Sequence, residues 1–429
     1  MFLAEAASSQ LQLMLSHDPQ EYIRGIQQIL VSDKKRIGFL FGAGSSVFPT
    51  LPMAHIPAVG EMTSTIIDQI GKADPLLGKA IEAIKPEIRE SDFNLETLLS
   101  RIESKREVVG TGTLNELNIA GFDKLSTAIK DAIVELVSVH ARMEDKDIQT
   151  LHHMRFSNWI AKANRRYPVE IFTTNYDFLF EIGLERFGIP YFDGFSGSYE
   201  PFFCSDAVED VAAYGALVKL WKMHGSLGWS YREADRSVIR NRTAAKLPIL
   251  IYPSHLKYTD TKKQPYIALI DRLCSFLQQD DAVLITCGYS FGDNHINERV
   301  ATSLRRGYNS TVLALFYDEY RKEEQPAFRL AEENNKLLRL ATRETAGKLS
   351  VYGRRHAVIG GRLGEWRVRN RPATDELERI TGYFSLDPQA AAPAGDSGES
   401  PWAGTGTLQL PEFGKLSSFL NSLAPEPVA

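Results

Sequence analysis

The sequence predicts an α/β fold, doubly wound and Rossmann-like, with a helical insertion, and three observations predict it. Short apolar runs of strand length recur along the chain with helical segments between them, as buried parallel strands do. The first run passes straight into the small residues Gly42-Ala43-Gly44-Ser45-Ser46, the form in which a strand opens a nucleotide-binding unit. From about Glu61 to Asn164 only helical periodicity is visible, so the insertion falls after the first strand and its expected helix.

In chain order, Asp18-Pro19 with Glu21 forms a helix start: a capping carboxylate, a preset φ, and an acid near the positive dipole end. Tyr22, Ile23, Ile26, Ile29 and Leu30 then share one helical face. Arg36–Phe41 is the first strand and leads into a helix beginning at Gly42-Ala43-Gly44. Within the insertion, at about 61–165, Leu95, Leu98, Leu99 and Ile102 share a face, as do Leu125, Ile129, Ile133 and Leu136. Further strands are expected at Pro168–Thr173, Leu217–Met223, Pro248–Tyr252, Asp281–Cys287 and Thr311–Tyr317.

This plan assigns 1–330 to the nucleotide-binding domain and 331–387 to a C-terminal extension. Residues 388–406, rich in Pro, Ala, Gly and Ser, form a linker too polar to offset chain entropy. Residues 407–429 form an apolar tail carrying Leu408, Leu410, Phe413, Leu416, Phe419 and Leu420, expected to dock on a partner surface, with folding back on the same domain as the alternative. Six arginines between Arg354 and Arg371 either contact nucleic acid or balance nearby acids on a solvated face.

Composition narrows the class. The 429 residues are 43% hydrophobic and 24% charged, and 49 basic against 54 acidic side chains leave a net charge of −5. That excludes a disordered chain, a collagen-like fibre and a coiled-coil rod, and argues against a surface built throughout to grip nucleic acid. Cys204, Cys274 and Cys287 are too few for a disulfide framework, and no CxxC pair is present. No window has the roughly 18 uninterrupted apolar residues of a membrane span, so the expectation is a cytoplasmic protein without membrane contact.

Candidate chemistry sits where open α/β sheets bind ligands, at the carboxyl ends of strands. Gly42, Ala43 and Gly44 let backbone approach a pyrophosphate, and Ser45 and Ser46 add donors at a helix N-terminus; the alternative is a plain tight turn. A dehydrogenase fingerprint is incomplete: its third glycine is missing and no strand-end acid follows about 20 residues on. Thr173-Thr174-Asn175-Tyr176-Asp177 offers hydroxyls, an amide and a carboxylate to a ribose and an amide-bearing ring, or else caps the next helix. His224, in Met223-His224-Gly225-Ser226, is either a base near neutrality or a bonded core imidazole. Gly288, Tyr289, Ser290 and Asp293, within Gly288–Asp293, suit a second ribose or phosphate.

Together, and in this order, the four segments resemble the sirtuin catalytic domain over roughly residues 34–320. GAGSS resembles its phosphate loop, TTNYD its Asn-x-Asp segment, HGS its catalytic-histidine loop and GYSFGD its adenosine-side ribose loop. Two departures stand out. The four-cysteine zinc module of sirtuin deacylases has no counterpart, and Pro49–His55 replaces their usual loop after the phosphate turn. What remains resembles the zinc-free, sirtuin-like NAD hydrolases of bacterial anti-phage defence, some of which work beside a HerA-type motor ATPase. The resemblance implies NAD as substrate, no zinc, a homo-oligomer restrained in isolation, and catalytic roles for Asn175, Asp177 and His224, with Thr174 among the NAD contacts. A silent NAD- or ADP-ribose-binding scaffold is the alternative from another class, and protein deacylation is disfavoured without the zinc module.

Overall fold

The computed structural model describes residues 15–48, 51–90, 93–245, 248–250, 264–306, 309–322, 325–332, 334–374, 376–387 and 404–424. They form a mixed α/β protein with parallel strands at its core, in two compact units: Met1–Leu40, Lys162–Val169 and Cys274–Ala429 in the first, Phe41–Ala161 and Glu170–Leu273 in the second. These boundaries cut across the expected division at residue 330. Among the described residues no helix is long and apolar enough to cross a membrane.

In the first unit the strands run in the order Phe384–Leu386, Gly404–Leu408, Arg362–Val368, His356–Ile359, Leu349–Gly353, Thr311–Phe316, Ala282–Cys287, Arg36–Phe41. Ala282–Cys287, Thr311–Phe316 and Leu349–Gly353 are mutually parallel, and their side chains are almost all buried, which is why they read as unbroken apolar runs. The helix Pro19–Val31 starts as its sequence dictates: Asp18 accepts from the Gln20 amide at 3.0 Å, and Ile23, Ile26 and Leu30 are buried.

A short strand, Leu15–His17, lies parallel to Arg362–Val368 and was not legible in the sequence. Gly364 makes the pairing possible, because a Cβ there would stand 2.5 Å from the Leu15 carbonyl oxygen.

The last described segment corrects an expectation. Gly404–Leu408 is a strand paired with both Phe384–Leu386 and Arg362–Val368, and Phe413–Ser422 is a helix. Leu408, Leu410, Phe413, Leu416, Phe419 and Leu420 are all buried within this one chain, so their apolar surface is already covered without a partner. The linker accordingly ends before Gly404; residues 388–403 lie outside the described residues. Two arginines of the basic run are also committed internally: Arg354 to Glu412 and Glu319, Arg355 to Glu365 and Asp387.

In the second unit, Glu170–Thr173 and Tyr191–Phe192 each pair in parallel with Val218–Lys222. The insertion consists of helices Val59–Ala73, Pro75–Ile84, Leu95–Val108, Ile119–Val137, Asp145–Thr150 and His152–Lys162. They close over their own core, with Ile66, Ile81, Leu98, Ile102, Phe122, Leu125 and Ile129 fully or almost fully buried.

A second, antiparallel sheet orders Phe195–Ser196, Phe202–Phe203, Val238–Arg240 and Trp229–Tyr231. Its two- and three-residue strands are too short to show periodicity. The strand expected at Pro248–Tyr252 is instead, as far as Leu250, an isolated bridge to Gly225; residues 251–263 lie outside the described residues. Beneath the parallel strands a buried ion pair joins Arg272 to Glu170 by two bonds of 3.0 and 2.6 Å, and the Trp221 indole donates to the same carboxylate at 2.9 Å.

Candidate active site

The phosphate-loop segment does not open an α-helix, contrary to expectation. Ala43–Ser46 is a single 3₁₀ turn, and the next α-helix begins at Val59. Phe48 precedes Pro49, and a residue before proline is pushed out of helical geometry, which accounts for the early stop. Gly42 is buried while Ala43 and Gly44 face solvent. Ser45 and Ser46, 1% and 2% exposed, turn their hydroxyls into the protein and not toward a helix terminus.

Those hydroxyls meet Asn175 and Asp177. The Asn175 side-chain amide donates to Ser45 Oγ at 3.0 Å and to Ser46 Oγ at 2.9 Å. Ser45 Oγ donates on to the Gly42 carbonyl at 2.8 Å, and Ser46 Oγ to Asp177 Oδ2 at 2.8 Å. The other Asp177 oxygen accepts the Leu179 amide at 3.0 Å, at the start of the helix Leu179–Arg186. So the two readings of this string divide between its residues. Asp177 serves the helix, whereas Asn175 does not cap it and is committed to the serines. Both are buried, at 7% and 3% exposure, a costly place for polar groups unless bonded in this way. Thr173 Oγ1 receives the Asn175 amide at 3.0 Å, and the Thr174 amide donates to the Phe41 carbonyl at 3.0 Å.

His224 lies in the turn after Val218–Lys222 and is half-buried. Backbone bonds staple the turn to the Asn175 segment on both sides: Met223 donates to the Thr173 carbonyl at 2.8 Å, Leu227 to that of Tyr176 at 3.0 Å. Gly225, next to the histidine, has φ +93°, and a Cβ there would fall 2.2 Å from the Ile249 carbonyl oxygen, so only glycine fits.

Three residues of this neighbourhood were not singled out from the sequence. Lys222 is almost completely buried, donates to the Asp177 carbonyl oxygen, and pairs with Glu181 at 2.7 Å. Burial pushes the Glu181 carboxyl above the usual range, with Lys222 working against the shift. His140, from the insertion, sets its ring edge-on to Phe178 with 4.7 Å between centroids. Burial holds this imidazole below the ordinary histidine range; Asp177 draws it up, and Lys222 and Arg142 push it down. Lys222 stands in a strand that reads as apolar, and His140 is a lone histidine in a helical stretch; neither carried a signal.

The remaining candidates belong to the other unit. Asp293 caps the helix Asn294–Arg305, accepting from the His295 and Ile296 amides at 2.9 and 3.2 Å. The buried Tyr289 hydroxyl bonds Asn297 at 3.1 Å, a structural commitment. Gly288 has φ +64°, and Ser290 is exposed, bonded to the Gly292 amide at 3.3 Å. Cys204, Cys274 and Cys287 are free thiols, and among the described residues no group of three or more His, Cys, Asp or Glu is placed to hold a metal ion.

A family model for the SIR2-like domain matches residues 169–339, less than half of the chain. The match begins one residue before the strand that leads to Asn175 and takes in His224 and Gly288–Asp293, while Gly42–Ser46 lie upstream of it. The chain therefore carries a sirtuin-like segment, which fits NAD-related chemistry in the broad sense. No curated protein matches the chain.

Proposed function

We propose that the protein hydrolyses NAD at the nicotinamide–ribose bond, giving nicotinamide and ADP-ribose. The observation that carries this reading is the buried Ser45–Ser46–Asn175–Asp177 network, bonded through its own backbone to the turn that bears His224. Nicotinamide is bound in NAD as a pyridinium and leaves neutral, so no general acid is required at the leaving group, unlike ordinary glycosides with their paired carboxylates. The site has to hold the ribose, stabilise an oxocarbenium-like centre and place a water.

Asn175 gives both amide protons to the serines, which leaves its carbonyl oxygen to receive a hydrogen bond from a ribose hydroxyl or the attacking water. Asp177 holds the carboxamide through the acceptor positions that Ser46 and Leu179 leave open. His224 serves the ribose hydroxyls as base or hydrogen-bond partner, a role worth on the order of 10²–10⁴ in rate. Gly42, Ala43, Gly44 and Thr174 are assigned to the rest of the dinucleotide.

The resemblance to sirtuin-like effectors extends this reading to anti-phage defence, with NAD depletion as the output, a homo-oligomer as the working form and a HerA-type ATPase as a candidate partner. The direct test incubates the purified chain with NAD and follows free nicotinamide and ADP-ribose by chromatography. Stoichiometric release of both, lost in His224→Ala, is expected. No nicotinamide above the protein-free control would overturn the reading.

A further inference from the structure

Lys222 is a buried cation in a strand otherwise built of apolar side chains and one more lysine, and nothing in the hydrolysis scheme uses it. Burying an ammonium is costly unless it is paired and hydrogen-bonded, so its contacts show what it is held for. All three go to the stretch Asp177–Glu181, a turn and the start of the helix that follows it. Lys222 Nζ donates to the Asp177 main-chain oxygen, pairs with Glu181 Oε1 at 2.7 Å, and lies 5.3 Å from the centre of the Phe178 ring. That turn carries Asp177 into the helix Leu179–Arg186.

The main chain of the same residue works in the other direction. The Lys222 carbonyl accepts the Gly225 amide at 3.1 Å, closing the turn that presents His224. Lys222 is also the register partner of Thr173, the last residue of the neighbouring strand. One residue thus ties together the two turns on which Asp177 and His224 stand.

We propose that Lys222, compensated by Glu181, is a positioning residue that holds the Asp177 turn in register with the His224 turn. The proposal rests on the assignment of these turns to NAD. Removing the ammonium also removes the influence that holds the Glu181 pKa down against burial, so the carboxyl moves further toward its neutral form. Lys222→Met, which keeps most of the stem, should therefore fold while losing the hold on Asp177. Lys222→Arg restores a cation able to reach both the carbonyl and the carboxylate.

The test measures kcat and KM for nicotinamide release together with NAD affinity by calorimetry, on the full chain, for wild type, Lys222→Met and Lys222→Arg, with circular dichroism for folding. Expected are a loss of at least 10-fold in kcat/KM and in NAD affinity for the methionine variant at unchanged secondary structure, and recovery to within about 3-fold for arginine. A folded methionine variant with wild-type kinetics and affinity overturns the proposal and leaves the hydrolase reading standing. If Lys222→Met does not fold, Glu181→Gln, which keeps the lysine and one acceptor oxygen, takes its place. There, a change in affinity of at least 3-fold supports positioning and unchanged affinity overturns it. A wild type that binds NAD without releasing nicotinamide overturns hydrolysis alone, since positioning is still read from affinity. A wild type that does not bind NAD overturns both.

Discussion

Replacing Asn175 by alanine separates the chemistry of the site from its stability. The change removes two hydrogen bonds, to Ser45 and Ser46, but both serine hydroxyls keep the acceptors to which they donate, Gly42 and Asp177. No donor is orphaned, so the loss is close to the net value of two ordinary bonds, about 1–2 kcal/mol in all. For a unit of 150–250 residues that lowers the melting temperature by roughly 2–8 °C. Against a usual reserve of about 5–15 kcal/mol, well over 99% of the molecules stay folded at 25 °C. Activity should nonetheless fall by about 10²-fold or more, because the carbonyl that receives a ribose hydroxyl or water is gone. The assay pairs a melting curve with initial rates of nicotinamide release. A variant that melts a few degrees lower yet turns over at the wild-type rate would show that Asn175 only braces the serines.

Two further outcomes follow from buried charge. Glu170→Gln leaves Arg272 facing a neutral partner at 6% exposure, so the second unit should lose about 3–5 kcal/mol; a chemical-denaturation midpoint unchanged from wild type would refute this. His153 is fully buried, and burial holds its pKa well below the ordinary histidine range, so the unfolded chain binds a proton that the folded chain refuses. Its contribution is complete above about pH 6.5 and is lost as pH falls toward the folded-state value; the melting temperature should drop from pH 7 to pH 5, and less steeply in His153→Leu, with parallel curves counting against the assignment.

What was legible depended on length and continuity. Arg36–Phe41, Ala282–Cys287 and Thr311–Phe316 are buried on both faces, and an unbroken apolar run is how such strands announce themselves. Leu15–His17 depends on a distant partner, which local pattern cannot supply, and the pieces of the antiparallel sheet, two or three residues long, are too short to show a period. The apolar residues from Leu408 to Leu420 declared that they must be covered, but hydrophobicity carries no address, and the surface that covers them is the chain's own. At the site, residue types and spacing brought Ser45, Ser46, Asn175, Asp177 and His224 forward. Lys222 was hidden because one residue spacing fits both a solvated lysine on an edge and a buried one with a partner, and only tertiary structure tells them apart.

The pairing of Leu15–His17 with Arg362–Val368 has a consequence for how the molecule is made. Parallel pairing of such distant segments gives no return until both exist, and loop closure over that span costs entropy first. At about 5–20 residues per second, the early strand waits on the order of 20–70 s on the ribosome before its partner emerges. Until then Leu15–His17 has no strand to pair with, so this edge of the first unit's sheet forms only after Arg362–Val368 has been made.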